Sequence, residues 1–423
     1  MRKLTSIIFS AALLASAARP AAAMPWHSMG PRAMGMGGSQ VALAQGPLAS
    51  YWNPAGLGQL YNKHGLSVPV GARGEFTGSV LEGANNVYQL HQDCAAATYT
   101  TSGTCTQARI TEALNLLGQN GNGAMVDTGA GIDLKIWRIV AFANNLAYAA
   151  VTPDVDKANT TPATIRNNAS SLIIRGGSFT ELGLGYAHEI GKTGLMLGGN
   201  LKGIIGRVGY DSLSIISNEP GAGSFNSFKD NTKTSFQPAI DAGMLWDMRE
   251  TFPVLPMRPR FGLVGRNLNG PKFKQPDVAV AAGEGKFKLR PQARMGIAVS
   301  PFKFWHLTAD MDLTENLTLI DGRKSRYLGA GTEINVFNRN WLNIPLRVGL
   351  QKNVSKDSDS GVAYTAGIGL HFLYVRADIG AMVSSKTTTL KSETETEKIP
   401  NNVAASGSIS IMWGKYDEGK RKN

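Results

Sequence analysis

The residues best placed by type to do chemistry are His306, Asp310 and Asp312, which share one parity of an alternating stretch. A histidine beside two carboxylates is the raw material of a general acid–base set. Successive positions on one face of a strand lie about 6–7 Å apart, however, and no nucleophile accompanies these three. They read as a polar network in a protein interior. The six histidines (His27, His64, His91, His188, His306 and His371) are scattered, without the HExxH or Cys/His spacing that holds zinc, so neither a metal nor a cofactor is expected. No GxSxG nucleophile elbow occurs. Gly183-Leu184-Gly185, Gly329-Ala330-Gly331 and Gly367-Ile368-Gly369 look like dinucleotide-binding fragments, but each fails at the third glycine and falls in a strand pattern. The basic pI of 9.6 comes from dispersed charges without a nucleic-acid motif, so no nucleic-acid partner is expected. The chain reads as a non-enzyme.

Arg2 and Lys3, an apolar stretch from Leu4 to Ala18, and Ala21-Ala22-Ala23 have the form of a secretory signal over residues 1–23. Cleavage near Ala23 leaves Met24 as the mature start and removes Arg2, Lys3 and Arg19, lowering the net charge from +12 to +9. Export makes Cys94 and Cys105 an expected disulfide. Closing so short a loop stabilises a fold by about 3 kcal/mol in the chain-entropy picture.

The elements that must position these residues follow from composition and alternation. Charged residues make up only 17% of the chain and glycine fills 49 of 423 positions, where about 25% and about 7% are usual. So few charges argue against disorder, and the lack of a three-residue glycine period excludes collagen. After residue 23 no run of about 18 apolar residues exists, which excludes a helical membrane protein. A soluble β-protein or a transmembrane β-barrel is left.

Phe236, Ile240, Ala242, Met244, Trp246 and Met248 occupy one parity, opposed by Gln237, Asp241, Gly243, Asp247 and Arg249. Trp305, Leu307, Ala309, Met311 and Leu313 likewise oppose His306, Thr308, Asp310 and Asp312, and Leu182, Leu184 and Tyr186 oppose Glu181, Gly183, Gly185 and Glu189. The polar parity is rich in Gly, Ser, Asn and charges of both signs, as suits a crowded polar lumen rather than a water-facing sheet. Reading each such segment predicts an all-β fold: a transmembrane antiparallel β-barrel of about fourteen strands over residues 65–416. The segments are 65–73, 128–137, 139–152, 178–190, 195–208, 234–249, 258–267, 292–300, 304–314, 326–337, 344–353, 361–370, 372–384 and 404–413. Between them long connections (74–127, 153–177, 209–233, 268–291, 315–325, 354–360 and 385–403) alternate with short ones, as external loops and periplasmic turns do. In loop 74–127, Thr106 can cap a helix with Ile110, Ala113, Leu114 and Leu117 on one face and Gly118 at its end.

Between the signal and the first strand lie Arg32-Ala33-Met34-Gly35-Met36-Gly37-Gly38, then Val41-Ala42-Leu43-Ala44, then Ser50-Tyr51-Trp52-Asn53-Pro54-Ala55-Gly56-Leu57. This pairing resembles the start of the FadL-type long-chain fatty acid transporter superfamily of outer-membrane proteins, with its TraF-like and PorV-like branches. Ala147-Tyr148-Ala149, Arg326-Tyr327-Leu328-Gly329-Ala330-Gly331-Thr332-Glu333 and the helix-bearing first loop echo the TraF-like branch. The resemblance implies fourteen strands and an N-terminal hatch, here residues 24–64, folded inside the barrel. Gly35, Gly37, Gly38, Asn53, Pro54, Ala55 and Gly56 would form the hatch motif: Pro54 fixes a backbone angle, Asn53 bonds nearby backbone, and the small residues allow close approach. Met29, Met34, Met36 and Trp52 are candidate contacts for hydrophobic cargo, although methionines also simply fill gaps. Loop 268–291 sets Lys272, Lys274, Lys286, Lys288 and Arg290 against Asp277 and Glu284, a balance suited to a carboxylate or to lipopolysaccharide phosphates.

Ile409, Ile411 and Trp413 alternate properly at the end of the chain, but Tyr416 is followed by a polar tail, 417–423. The tail departs from the aromatic last residue by which the barrel assembly machinery commonly reads such proteins. The reading is of an outer-membrane barrel that passes hydrophobic or amphipathic small molecules, such as long-chain fatty acids, inward without energy input. The alternative is a structural barrel with a protein partner in secretion or conjugation. A third reading, a lipid-modifying enzyme, lacks a nucleophile set.

Overall fold

The computed structural model describes residues 24–26, 29–59, 62–95, 106–215, 225–356, 358, 360–391 and 396–415. The expected signal, Cys105 and the tail 417–423 lie outside the described residues, and with Cys105 the expected disulfide. Fourteen strands close into one antiparallel barrel: β1 (Asn62–Thr77), β2 (Gly123–Ile136), β3 (Ile139–Asp154), β4 (Ser171–Glu189), β5 (Leu195–Ser214), β6 (Thr232–Asp247), β7 (Arg260–Arg266), β8 (Gln292–Phe302), β9 (Trp305–Asp312), β10 (Tyr327–Asn338), β11 (Leu342–Asn353), β12 (Ala363–Phe372), β13 (Val375–Ser384) and β14 (Asn402–Lys415). Each strand pairs with its sequence neighbours, and β1 pairs with β14 to close the ring, Leu66 facing Ile411. At that seam the Ser67 and Ser410 hydroxyls meet at 2.8 Å and Ser406 Oγ donates to the Val70 carbonyl at 2.7 Å.

The parity read from the sequence is the parity of the wall, turned inside out relative to a soluble protein. Leu201 is 67% exposed and Ile409 63%, while Lys202 and Asp241 are 2% and 3% exposed. In water such an apolar exterior would be a large unfavourable surface; against lipid it is the stable arrangement. At the short-turn end the exterior carries aromatic side chains, among them Trp137, Phe302, Phe304, Trp341 and Tyr374. Their amphipathic or flat rings suit a membrane–water boundary. The twenty residues of β5 extend about 65 Å along the strand. Even tilted, that overshoots an apolar band of about 25 Å, so β4 and β5 stand clear of it at the long-loop end.

Loop 1, between β1 and β2, corrects the sequence reading. It holds two helices, α3 (Val80–Ala95) and α4 (Gln107–Leu117), where one was foreseen, after the shorter helices α1 (Pro31–Gly35) and α2 (Ala49–Trp52) of the N-terminal segment. Helix α4 starts where expected: Thr106 Oγ1 accepts from Arg109 N, and Ile110, Ala113, Leu114 and Leu117 are buried. Helix α3 carries Gly83, Asn85 and Asn86, all poor helix formers, and its propensity is correspondingly weak. Packing overrides it, because Val80, Val87 and Leu90 bury against Ile110, Leu114 and Leu117. The expected loop 385–403 also contains a hairpin, Thr387–Lys391 paired with Thr396–Pro400.

Candidate functional site

The N-terminal segment before β1 touches strands around the ring. Helix α1 packs on β12, β13 and β14, the turn at Val41–Leu43 on β7, β8 and β9, and the turn at Pro54–Gly58 on β4, β5 and β6. The segment's fit depends on paired absences of side chains. A Cβ on Gly331 would lie 2.5 Å from Met36 Cα, one on Gly349 2.5 Å from Gly37 N, and one on Gly198 2.6 Å from Ala55 N. Gly37 itself has φ +68°, which side chains rarely adopt. The Gly-x-Gly fragments at 329–331 and 367–369 are therefore small positions of the wall.

Backbone hydrogen bonds fix the segment. Asn53 Nδ2 donates to the Val41 carbonyl at 3.1 Å and to the Met244 carbonyl of β6 at 2.9 Å, while its Oδ1 accepts from Ala55 N. Asp310 Oδ2 accepts from Gln40 N and Val41 N at 2.7 and 2.8 Å. Gly37 N donates to Thr365 Oγ1, whose hydroxyl donates to the Gly35 carbonyl. Arg32 makes a two-pronged ion pair with Glu333 at 2.8 and 2.9 Å. The histidine–carboxylate set noted first in the sequence is thus divided among structural tasks: Asp310 holds the segment, Asp312 pairs with Arg294 at 2.6 Å, and His306 Nδ1 meets Ser300 Oγ.

Above the segment runs a column of apolar side chains. Met24, Trp26, Met29 and Trp52 join Phe142, Leu146 and Phe179 of the wall, and then Phe273, Phe287 and Leu289 of loop 267–291. Trp52 Nε1 donates to the Met29 carbonyl at 2.8 Å. Trp26 stacks on Trp52 with centroids 6.4 Å apart, and Arg266 and Arg294 flank the pair, Arg266 over Tyr51 at 4.2 Å and Arg294 over Trp26 at 4.8 Å. At the mouth, Phe179 meets Phe273 edge-on at 5.1 Å and stacks on Phe287 at 5.3 Å. A Cβ on Gly206 would lie 2.6 Å from Phe273 Cε1, so glycine leaves the room this ring occupies.

A family model described as "F plasmid transfer operon, TraF, protein" matches residues 50–312. The chain belongs to this family. No curated protein sequence matches it. Among solved structures, a deltaS2 mutant of the TodX monoaromatic hydrocarbon channel aligns at TM-score 0.53 and 10% identity over 92% of this chain and 100% of that one. The toluene transporter TbuX of Ralstonia pickettii aligns at TM-score 0.49 and 13% identity over 91% of this chain and 98% of that one. The likeness to TodX is one of fold.

In this TraF-family barrel the candidate cargo contacts separate. Met29 and Trp52 belong to the apolar column, whereas Met34 packs with Ala363, Met382 and Ala404, and Met36 with Ala42, Leu43 and Ala298. In loop 267–291, Lys272, Lys274 and Lys286 are exposed, and Glu284 is taken by Arg175 of β4 at 2.8 Å. The aromatic trio Phe179, Phe273 and Phe287 and the cation pair Arg266 and Arg294 were not singled out in the sequence. Phe179, Arg266 and Arg294 fall on predicted strands, but Phe273 and Phe287 fall in a predicted loop, and the meeting of these residues across four segments was not legible.

Proposed function

We propose that this protein carries hydrophobic or amphipathic small molecules, long-chain fatty acids among them, passively across the outer membrane, with the N-terminal segment as the hatch. One observation carries the reading: a continuous apolar column connects the long-loop end to Trp52 and Met29 inside a barrel whose remaining lumen is lined by ion pairs. Apolar side chains in a polar lumen offer hydrophobic cargo a path that water and ions do not share. Cargo would settle between Phe179, Phe273 and Phe287, descend along Trp26 and Trp52, and pass when the hatch shifts. The channel named in the TodX structure, for monoaromatic hydrocarbons, is in keeping with such a path.

Deletion of residues 24–61, compared with the full mature chain in cells, tests this reading. Changed uptake of a hydrophobic probe is expected; unchanged uptake across alkane, aromatic and fatty-acid probes would overturn it. The second reading, a barrel that serves a conjugation assembly, is favoured by the transfer-operon name of the family. Crosslinking from the loops would then recover a stable protein partner.

A further inference from the structure

Arg260 opens β7 at the short-turn end of the lumen and is 8% exposed. The other buried arginines of the wall, Arg73, Arg266, Arg294 and Arg347, each have a carboxylate within 4 Å, at 2.8, 3.3, 2.6 and 2.6 Å respectively. Among the described residues Arg260 has none. Its Nη2 donates to Ser300 Oγ at 2.7 Å, and its Nε is buried without a partner. Of the acids that act on it, Glu333 is paired with Arg32 and Arg347, and Asp247, which faces Arg260 across the β6–β7 register, gives one oxygen to Arg258 at 2.6 Å and leaves the other without a hydrogen-bond partner, beyond ion-pair distance of Arg260. A guanidinium held out of water with no carboxylate in direct contact is unfavourable, and an anion that made that contact would be bound tightly.

We propose that Arg260, with Ser300 and His306, is a site for the carboxylate of an amphipathic molecule at the short-turn end of the barrel. Ser300 Oγ lies 2.7 Å from both Arg260 Nη2 and His306 Nδ1, so three polar side chains converge there. Arg32 and Arg258 act on Arg260 as like charges and Asp247 and Glu333 as opposite ones, so an incoming carboxylate would meet cations and acids together, with Arg260 the cation lacking a direct ion pair. The apolar half of the ligand has buried apolar neighbours that a shift of the N-terminal segment would uncover. Ala298 faces Arg260 in the β7–β8 register, and it packs with Met36, Ala42 and Leu43 of the N-terminal segment. A carboxylate on Arg260 with its tail along Met36 and Leu43 would touch wall and N-terminal segment at once. The ligand class deepens the transport reading and rests on it for its source, an anionic amphiphile leaving the lumen; a neutral hydrocarbon would pass the site without stopping.

Equilibrium binding of laurate and of dodecanol, two probes with the same tail length, to the purified full barrel in amphipol is the test. The wild type should bind laurate about tenfold or more tightly than dodecanol, as a charge-assisted hydrogen bond implies. Arg260→Gln should bring the two probes level, Ser300→Ala should narrow the gap, and Arg260→Lys should keep most of it. Heat-modified gel mobility reports that each variant is a folded barrel. Equal binding of both probes by the wild type, or an undiminished preference in folded Arg260→Gln, would overturn the site. If Arg260→Gln does not fold, the Ser300→Ala and Arg260→Lys pair decides on the same terms. Loss of the transport reading is seen separately, as uptake insensitive to removal of residues 24–61, and it leaves this binding result standing.

Discussion

Val41 of the N-terminal segment donates its backbone N–H to Asp310 of β9 at 2.8 Å, and the same carboxylate oxygen accepts from Gln40 N at 2.7 Å. One carboxylate thus satisfies two adjacent buried backbone donors that no secondary structure can satisfy. Hydrogen bonds to a charged acceptor are worth roughly 1.5–3 kcal/mol each. Asp310→Ala is expected to lower stability by about 2–4 kcal/mol and to expose residues 29–59 to protease, read by thermal unfolding in detergent and by mass mapping of the first cleavages. Asp310→Asn keeps an acceptor oxygen and should lie between the two.

The glycines facing the segment should be intolerant in proportion to what a methyl group would meet. On Gly331 it would strike Met36 backbone, which cannot swing aside as a side-chain tip can, whereas on Gly74 it would meet nothing within 4 Å. Gly331→Ala is expected to dislodge the segment and raise single-channel conductance in a planar bilayer. Gly74→Ala should leave conductance as it is.

Lys202 lies between Glu181 at 3.0 Å and Asp241 at 3.1 Å, all three buried. Lys202→Met would leave two carboxylates with only Arg266, at 3.3 Å from Glu181, as an ion-pair partner among the described residues. Breaking such a buried set costs about 3–5 kcal/mol. A clear fall in Tm is expected, and the double variant Lys202→Met with Asp241→Leu should recover part of it.

The loop between β3 and β4 should loosen in acid. Asp156 accepts hydrogen bonds from Ala158 N at 2.8 Å, Asn159 Nδ2 at 3.0 Å and Ala169 N at 3.1 Å. These donors, those of the Ala158 and Ala169 backbone foremost, hold its carboxyl below the usual carboxylate value. A depressed folded value means that the stabilisation is present above the unfolded value of about 3.9 and is lost as pH falls through the folded one. Protection of the residue 156–170 amides, taken relative to their intrinsic exchange rate at each pH, should therefore be high at pH 6 and fall below about pH 4. Asp156→Ala should show low protection at both.

The wall was legible because alternation is a local property: Leu182, Leu184 and Tyr186 announce the lipid face wherever their partners lie. Helix α3 was not, since Gly83, Asn85 and Asn86 give it weak local preference. Gly83 is there for a distant reason, as a Cβ would stand 2.7 Å from Leu117 Cα. The N-terminal motif was legible in type, yet Met29 joins the apolar column while Met34, within helix α1, packs on Ala363, Met382 and Ala404, a separation set by the wall that helix meets. Charge partners were the least legible. Arg260 and Arg266 end the same seven-residue strand with the same inward parity, yet β4 brings Glu181 into contact with Arg266 while Asp247, opposite Arg260 on β6, pairs with Arg258 instead.

Arg175 of β4 joins two loops over the mouth: its Nε and Nη2 reach Glu284 Oε1 at 3.0 and 2.8 Å, and its Nη1 reaches Asp321 at 2.9 Å. The two arms are unequal. The Glu284 side chain is 15% exposed and doubly bonded, whereas that of Asp321 is 67% exposed, where salt and water screen an ion pair to about 0–1 kcal/mol. Arg175→Ala should therefore free loop 267–291 much more than loop 313–326. A fluorophore at Lys286 should gain mobility in Arg175→Ala and in Glu284→Gln but little in Asp321→Asn, and the double-mutant coupling should be larger for Arg175 with Glu284. Since loop 267–291 carries Phe273 and Phe287 onto Phe179, the same substitution should also speed access of a hydrophobic probe to the lumen. Equal coupling through both acids would place the hold of the clasp in the exposed arm and overturn this ranking.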